Sequence, residues 1–407
     1  MALILNGSTT ILTHATATSN IGLGSTAVDS ITTGDYNVGL GDDAGTAITS
    51  GHRNTAVGVD SMKAHTTGNN NTSLGYQSLL ADTTGAQNVA IGKDALKTNT
   101  TAADNTAVGT QSLKLNTTGA NNTAIGKQAL EANTTAANNT AVGWSALLAN
   151  TTGTSNTGVG TSALQANTTA SYSTAVGHRA LMSVTTGIEN TAVGYAAGDA
   201  ITTGAGNVFM GLNAGTATTT ANTNVGIGYS TMVANTTGTE NVAVGATALD
   251  ANTTGIGNVA IGEAALTTAT TASYNTGVGR AALRLTTTGA SNTGIGFEAL
   301  RANTTGANNV AVGKNALLVN TTAASNTAVG ATSMIANTNG HSNSAFGRSS
   351  LIANTTGDHN TAIGYAALLA NTTANDNTAV GYSSLGANTT GIANVAVGKD
   401  ALLSNTT

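Results

Sequence analysis

Six histidines (His14, His52, His65, His178, His341 and His359) and eighteen carboxylates are the residues of this chain best suited to hold a metal or move a proton, and no cysteine adds a thiolate. Such chemistry needs the groups to converge, which a recurring His–carboxylate offset would announce. None recurs. The histidines read as scattered surface residues, and no metal, cofactor or catalytic set is expected, so the protein reads as non-enzymatic. The stretch Gly39–Gly45 (GLGDDAG) resembles a phosphate loop only in composition, because no strand-to-long-helix pattern frames it. A calcium-binding solenoid would carry Asp in an invariant column, and this chain has none.

The aromatic residues do have a register. Seven of the twelve, Tyr76, Trp144, Tyr195, Tyr229, Phe297, Tyr365 and Tyr382, fall at the same point of one recurring period. They are candidate platforms for a glycan or receptor, since Tyr and Trp offer a flat apolar face and a polar tip. Packing on a neighbouring turn or chain is the structural alternative. Three more, Tyr36, Tyr172 and Tyr274, share a second register.

That period belongs to the whole sequence. It is a 17-residue unit opened by an Asn, from Asn20 to Asn394 with Ser173 the one exception, and its 23 copies follow N-T-A-V-G-x-x-A-L-x-A-N-T-T-G-x-x without insertion or deletion. Numbering the unit from this Asn, the seven aromatics occupy position six and the other three position seventeen. A chain that cannot gain a residue between units is stacking each on the last, so the expected fold is an all-β parallel β-solenoid (β-roll) of 23 coils. Two helices fitted into one such unit would be too short to cover a core. Residues 1–19 read as an N-terminal cap or attachment segment and 20–407 as one continuous array. With about 4.8 Å per coil, the array would form a rod on the order of 110 Å long.

Within each coil the sequence suggests two short strands, one at positions two to four and one around eight to eleven, joined by two corners; a one-turn helix over the second stretch is the alternative. Position four is apolar in all units and position nine is mostly Leu, so both read as core. The invariant Gly at position five predicts a positive φ or a close backbone approach, whereas position fifteen alternates between Gly and Ala and should be less strained. Asn at positions one and twelve and Thr at thirteen predict ladders along the axis. Where position nine shrinks, another position grows: Gly45 and Gly198 go with Ile48 and Ile201, and Gly215 with Phe209. Positions three, nine and twelve should therefore line one interior of nearly constant volume.

Charged residues form 8% of the chain and, apart from Asp82 at position twelve, fall at positions six, seven, ten, sixteen and seventeen, which reads as the solvent side. A net charge of −5 without a basic cluster makes nucleic acid a poor partner. No segment is apolar enough to span a membrane as a helix, and the first residues lack a secretory signal pattern. The N-T-T triplets match glycosylation sequons as a by-product of the consensus. Thr recurs at thirteen and fourteen, but neighbours on a strand point to opposite faces, so ice binding through a two-rank Thr lattice does not follow from that pair.

The forms N-V-A-I-G at Asn88–Gly92 and N-T-A-I-G at Asn122–Gly126 resemble the S-V-A-I-G core of the head repeats of trimeric autotransporter adhesins. That resemblance implies a β-roll assembled as a homotrimer. The longer N-T-A-V-G-x-x-A-L-x-x-N-T-T-G form is similar to repeats of phage tail-fibre and related bacterial surface proteins, over residues 20–407. It implies a structural protein of a virion: a tail fibre or shaft of a phage or phage-like appendage, assembled in the host cytoplasm and serving host or surface attachment. The implied partners are its own copies, other appendage subunits at the chain ends, and cell-surface glycan. A bacterial cell-surface adhesin and an ice-binding β-solenoid are the alternatives. The last unit stops at its fourteenth residue, Thr407, and reads as a fragment end or as an end covered by a partner.

Overall fold

In this computed structural model the described residues are 17 and 19–407, so the proposed N-terminal segment lies, apart from Ala17 and Ser19, outside the described residues. The chain forms two compact units, Met1–Gly206 and Asn207–Thr407. Both are built the same way. The first holds strands β1 (Ile21–Leu23) to β11 (Thr191–Val193), and the second β12 (Val208–Met210) to β23 (Val395–Val397), one three-residue strand per 17-residue repeat. Inside each unit every strand pairs in parallel with the strand one repeat later, in the register Ile21↔Val38 or Val208↔Val225. No helix occurs among the described residues. The fold is a parallel β-solenoid.

One strand per coil is observed where the sequence suggests two. The stretch from position six to eleven is instead an arc of turns. It is made by non-glycine residues in the left-handed region at positions seven and nine, such as Gln77 (φ 55) and Leu79 (φ 49), with a third at position seventeen, such as Gln87 (φ 59). L-residues adopt this conformation at a cost of about 1–2 kcal/mol. It is held because each such residue still makes an axial backbone bond: Leu79 N–H donates to Ala95 O at 3.0 Å and Gln77 N–H to Val59 O at 3.1 Å. A strand there would turn the Leu away from the interior that it fills.

The position-five glycines meet both expectations. Gly58 has φ +125, and a Cβ on it would lie 2.6 Å from Gly75 O of the next coil. At position fifteen no glycine needs a positive φ, which agrees with Ala there.

Positions three, nine and twelve do line one interior, with Phe209, Leu79 and Ile48 fully buried. The volume exchange is direct: a Cβ on Gly215 would fall 2.5 Å from the Phe209 ring, and one on Gly45 would fall 2.8 Å from Ile48 Cδ1. Position four is not core. Strand residues alternate faces, so with position three inward, positions two and four point outward together. Leu74, Ile125, Met210 and Phe346 are accordingly exposed. Apolar character in that column therefore marks an outer face.

Candidate functional site

Three features of the coil surface and interior could carry function. The position-six aromatics come first. All seven sequence candidates are exposed, as are Tyr36, Tyr172 and Tyr274. The arc places position six just after the Gly corner, and axial bonding then stacks neighbouring copies. Tyr365 and Tyr382 lie face to face with centroids 5.3 Å apart, and Tyr195 stacks the same way on His178. Lys399 sits over Tyr382 and Arg280 over Phe297, each 5.8 Å from the ring centre. The facing sides of these rings are already used, and Tyr382, between Tyr365 and Lys399, offers mainly its edge and hydroxyl. Tyr76, Trp144 and Tyr229 have no aromatic at position six of the adjoining coils. The column is not gathered into one pocket.

The second feature is the outward face of the strands. Position two is Thr, Val or Ile in every coil except Ser344, and position four is apolar in all of them. No charged residue falls at positions one to five. Register-locked pairing sets these side chains in two parallel ranks along each unit. The Thr of position thirteen does not join them, because its hydroxyl donates to the carbonyl of its counterpart in the next coil, as Thr66 Oγ1 does to Thr83 O at 2.8 Å. The expected Thr ladder is thus side chain to backbone.

The third feature lies inside, where the Asn ladders form as expected. At position one, Asn71 donates through its backbone N–H and Nδ2 to Asn54 Oδ1, both at 3.0 Å, and Nδ2 also reaches Gly85 O. At position twelve, Asn133 Nδ2 donates to Asn116 Oδ1 at 2.8 Å and to Ala136 O. This second ladder contains a correction. His65 is not a surface residue; it and Asp82 occupy position twelve of successive coils and are both fully buried. His65 Nδ1 lies 2.7 Å from Asp82 Oδ2, His65 Nε2 lies 2.9 Å from Gly68 O, and Asp82 Oδ1 accepts from Asn99 Nδ2 at 2.7 Å. The ring thus bridges the Asp82 carboxylate of the next coil and the Gly68 carbonyl of its own, with Asn71 Nδ2 3.4 Å from Nε2. A shared position in successive units is the signal available in the sequence. Of the other described histidines, His178, His341 and His359 are exposed and His52 is half-buried.

Surface charges pair in several places, among them Arg179 with Asp199 and Arg280 with Glu263. Lys63 Nζ sits 2.8 Å from Asp43 and 2.9 Å from Asp60, and its hydrogen bonds hold both carboxyls below the usual range while raising the Lys63 ammonium. Burial instead pushes Asp250 up. Among the described residues no group of three or more His, Asp or Glu could hold a metal ion, and no helix is long and apolar enough to cross a membrane. No protein-family model matches the chain, and no curated protein matches it.

Proposed function

We propose that this protein is a structural shaft of a phage or phage-like appendage, serving host or surface attachment, in which three copies meet along positions two and four. The observation that carries the reading is the uncharged outer strand face repeated in every coil of both units. Soluble monomers rarely leave an apolar patch beyond a few hundred Å² uncovered, and a stable interface buries about 800 Å² per partner. A face running the length of a unit is suited to that size. The stacked coils supply stiffness, and the exposed position-six aromatics lie just past the Gly corner, with Tyr76, Trp144 and Tyr229, which have no aromatic at position six of the adjoining coils, offering the contact for a glycan or receptor. Replacing Val142, Val159 and Val176 together by Glu should dissociate the assembly while circular dichroism stays β-rich. Retention of the assembled mass in that variant would refute the interface.

The same two ranks favour a second reading. They give a regular outward array of β-branched side chains that positions thirteen and fourteen do not, which is the kind of surface that could order water against ice. Thermal hysteresis that disappears in the same triple variant would select this reading over the shaft. A bacterial surface adhesin would share the assembly and differ in showing cell binding by the isolated protein.

A further inference from the structure

The position-twelve ladder breaks in the second unit, where Asn252 is followed by Ala269 and then Thr286, all three fully buried. Asn252 Oδ1 and Thr286 Oγ1 are buried without a hydrogen-bond partner. The ladder's polarity shows where Asn252 Oδ1 is aimed. Within the runs of position-twelve Asn the oxygen accepts from the Nδ2 one coil later, as Asn235 Oδ1 does from Asn252 at 2.9 Å and Asn303 Oδ1 from Asn320 at 3.0 Å, so this one points to the missing carboxamide of coil 258–274. A third acceptor adjoins it. In an intact coil the position-fifteen carbonyl takes two amides, as Ala136 O does from Asn122 and Asn133, but Ala272 O takes only that of Asn258, at 2.8 Å.

No side chain compensates for the lost volume. Ala260 and Leu266, at positions three and nine of the same coil, keep their consensus size, unlike the Gly45–Ile48 and Gly215–Phe209 exchanges. A carboxamide's three heavy atoms occupy more than the roughly 30 Å³ share of one water, and buried waters make about three hydrogen bonds. We infer that coil 258–274 encloses an internal binding site for one water molecule, which takes the place of the absent amide. It donates to Asn252 Oδ1 and Ala272 O and accepts from Thr286 Oγ1–H. Charge and redox state are unchanged, and every orphaned atom gains a partner.

A crystal structure of the full chain that shows ordered water should contain a peak within hydrogen-bond distance of all three atoms. In solution, magnetic relaxation dispersion of water should count one fewer long-lived water per chain in Ala269→Asn, whose amide would displace it, and local amide exchange should slow. Thr286→Val, which keeps the shape and removes the hydroxyl, should shorten the residence time of that water with strand pairing unchanged. Empty density in the wild-type chain, an equal count of long-lived waters in Ala269→Asn, or faster exchange in that variant would overturn the site.

Discussion

The position-twelve ladder ends in two different ways. In the first unit five Asn, from Asn99 to Asn167, pass hydrogen bonds toward the N-terminal side, and the run closes at both ends. Asp82 receives the last amide on one oxygen and His65 on the other, while Asn167 Oδ1 accepts from Ala170 N–H. In the second unit the two-rung run at Asn235 and Asn252 stops at Ala269, where no protein donor meets its oxygen. A directional ladder needs an acceptor with a spare oxygen at one end and a donor at the other. An aspartate backed by histidine meets the first need inside the protein; an alanine meets neither.

The largest effect expected from this comparison is at the closed end. Asp82→Ala strips His65 and Asn99 of their partner and should cost about 3–5 kcal/mol, as breaking a buried pair does, seen as faster amide exchange confined to coils 54–104. The double variant His65→Asn/Asp82→Asn rebuilds an ordinary rung and should recover to within about 1 kcal/mol, the worth of a hydrogen bond. A double variant as unstable as the single one would show that the pair does more than close the ladder.

Phe209→Ala ranks beside it, since emptying the space under Gly215 should cost about 3–5 kcal/mol locally. The pairing of residues gives a sign test. Gly215→Leu alone should destabilise, because its Cβ meets the Phe209 ring, whereas the same change in Phe209→Ala should restore stability in part. A silent Phe209→Ala would mean that position three does not pack the interior.

Smaller effects are expected on the surface. Replacing Tyr365 and Tyr382 together by Ala removes a stack of about 0.5–1.5 kcal/mol and should leave the β-rich circular dichroism unchanged. If the column contacts glycan, Trp144 fluorescence should shift on binding; unchanged binding in a chain lacking all seven aromatics would reduce the protein to a spacer.

The smallest effect is at Asp250, whose raised pKa means that the folded state binds its proton more tightly than the unfolded chain. Ionising it therefore opposes folding, with no penalty below its unfolded pKa and the full penalty above its folded one. Asp250→Asn should raise the Tm slightly near neutral pH and leave it unchanged in strong acid.

Much of this fold is legible from the columns. The invariant Gly at position five and the exchange of Gly215 for Phe209 are statements about space, and space is what the coil conserves. Position four misleads because an apolar column reads as a buried one, although the alternation of strand faces already sets it opposite position three. The Leu of position nine does not read as left-handed, since its own preferences oppose that backbone and only axial bonding holds it. His65 is lost among scattered histidines because its partner is a whole repeat away in sequence and one coil away in space. The aromatic column is visible in the sequence, but which of its rings stack depends on whether adjoining coils carry them.

A role as a shaft rests on the outer strand face being covered by other copies of the chain. Sedimentation equilibrium of the purified protein at micromolar concentration tests this most directly. It should give the mass of three 39.6 kDa chains, falling to one chain in the Val142→Glu/Val159→Glu/Val176→Glu variant with its circular dichroism intact; a wild-type protein that sediments as a single folded chain would contradict it.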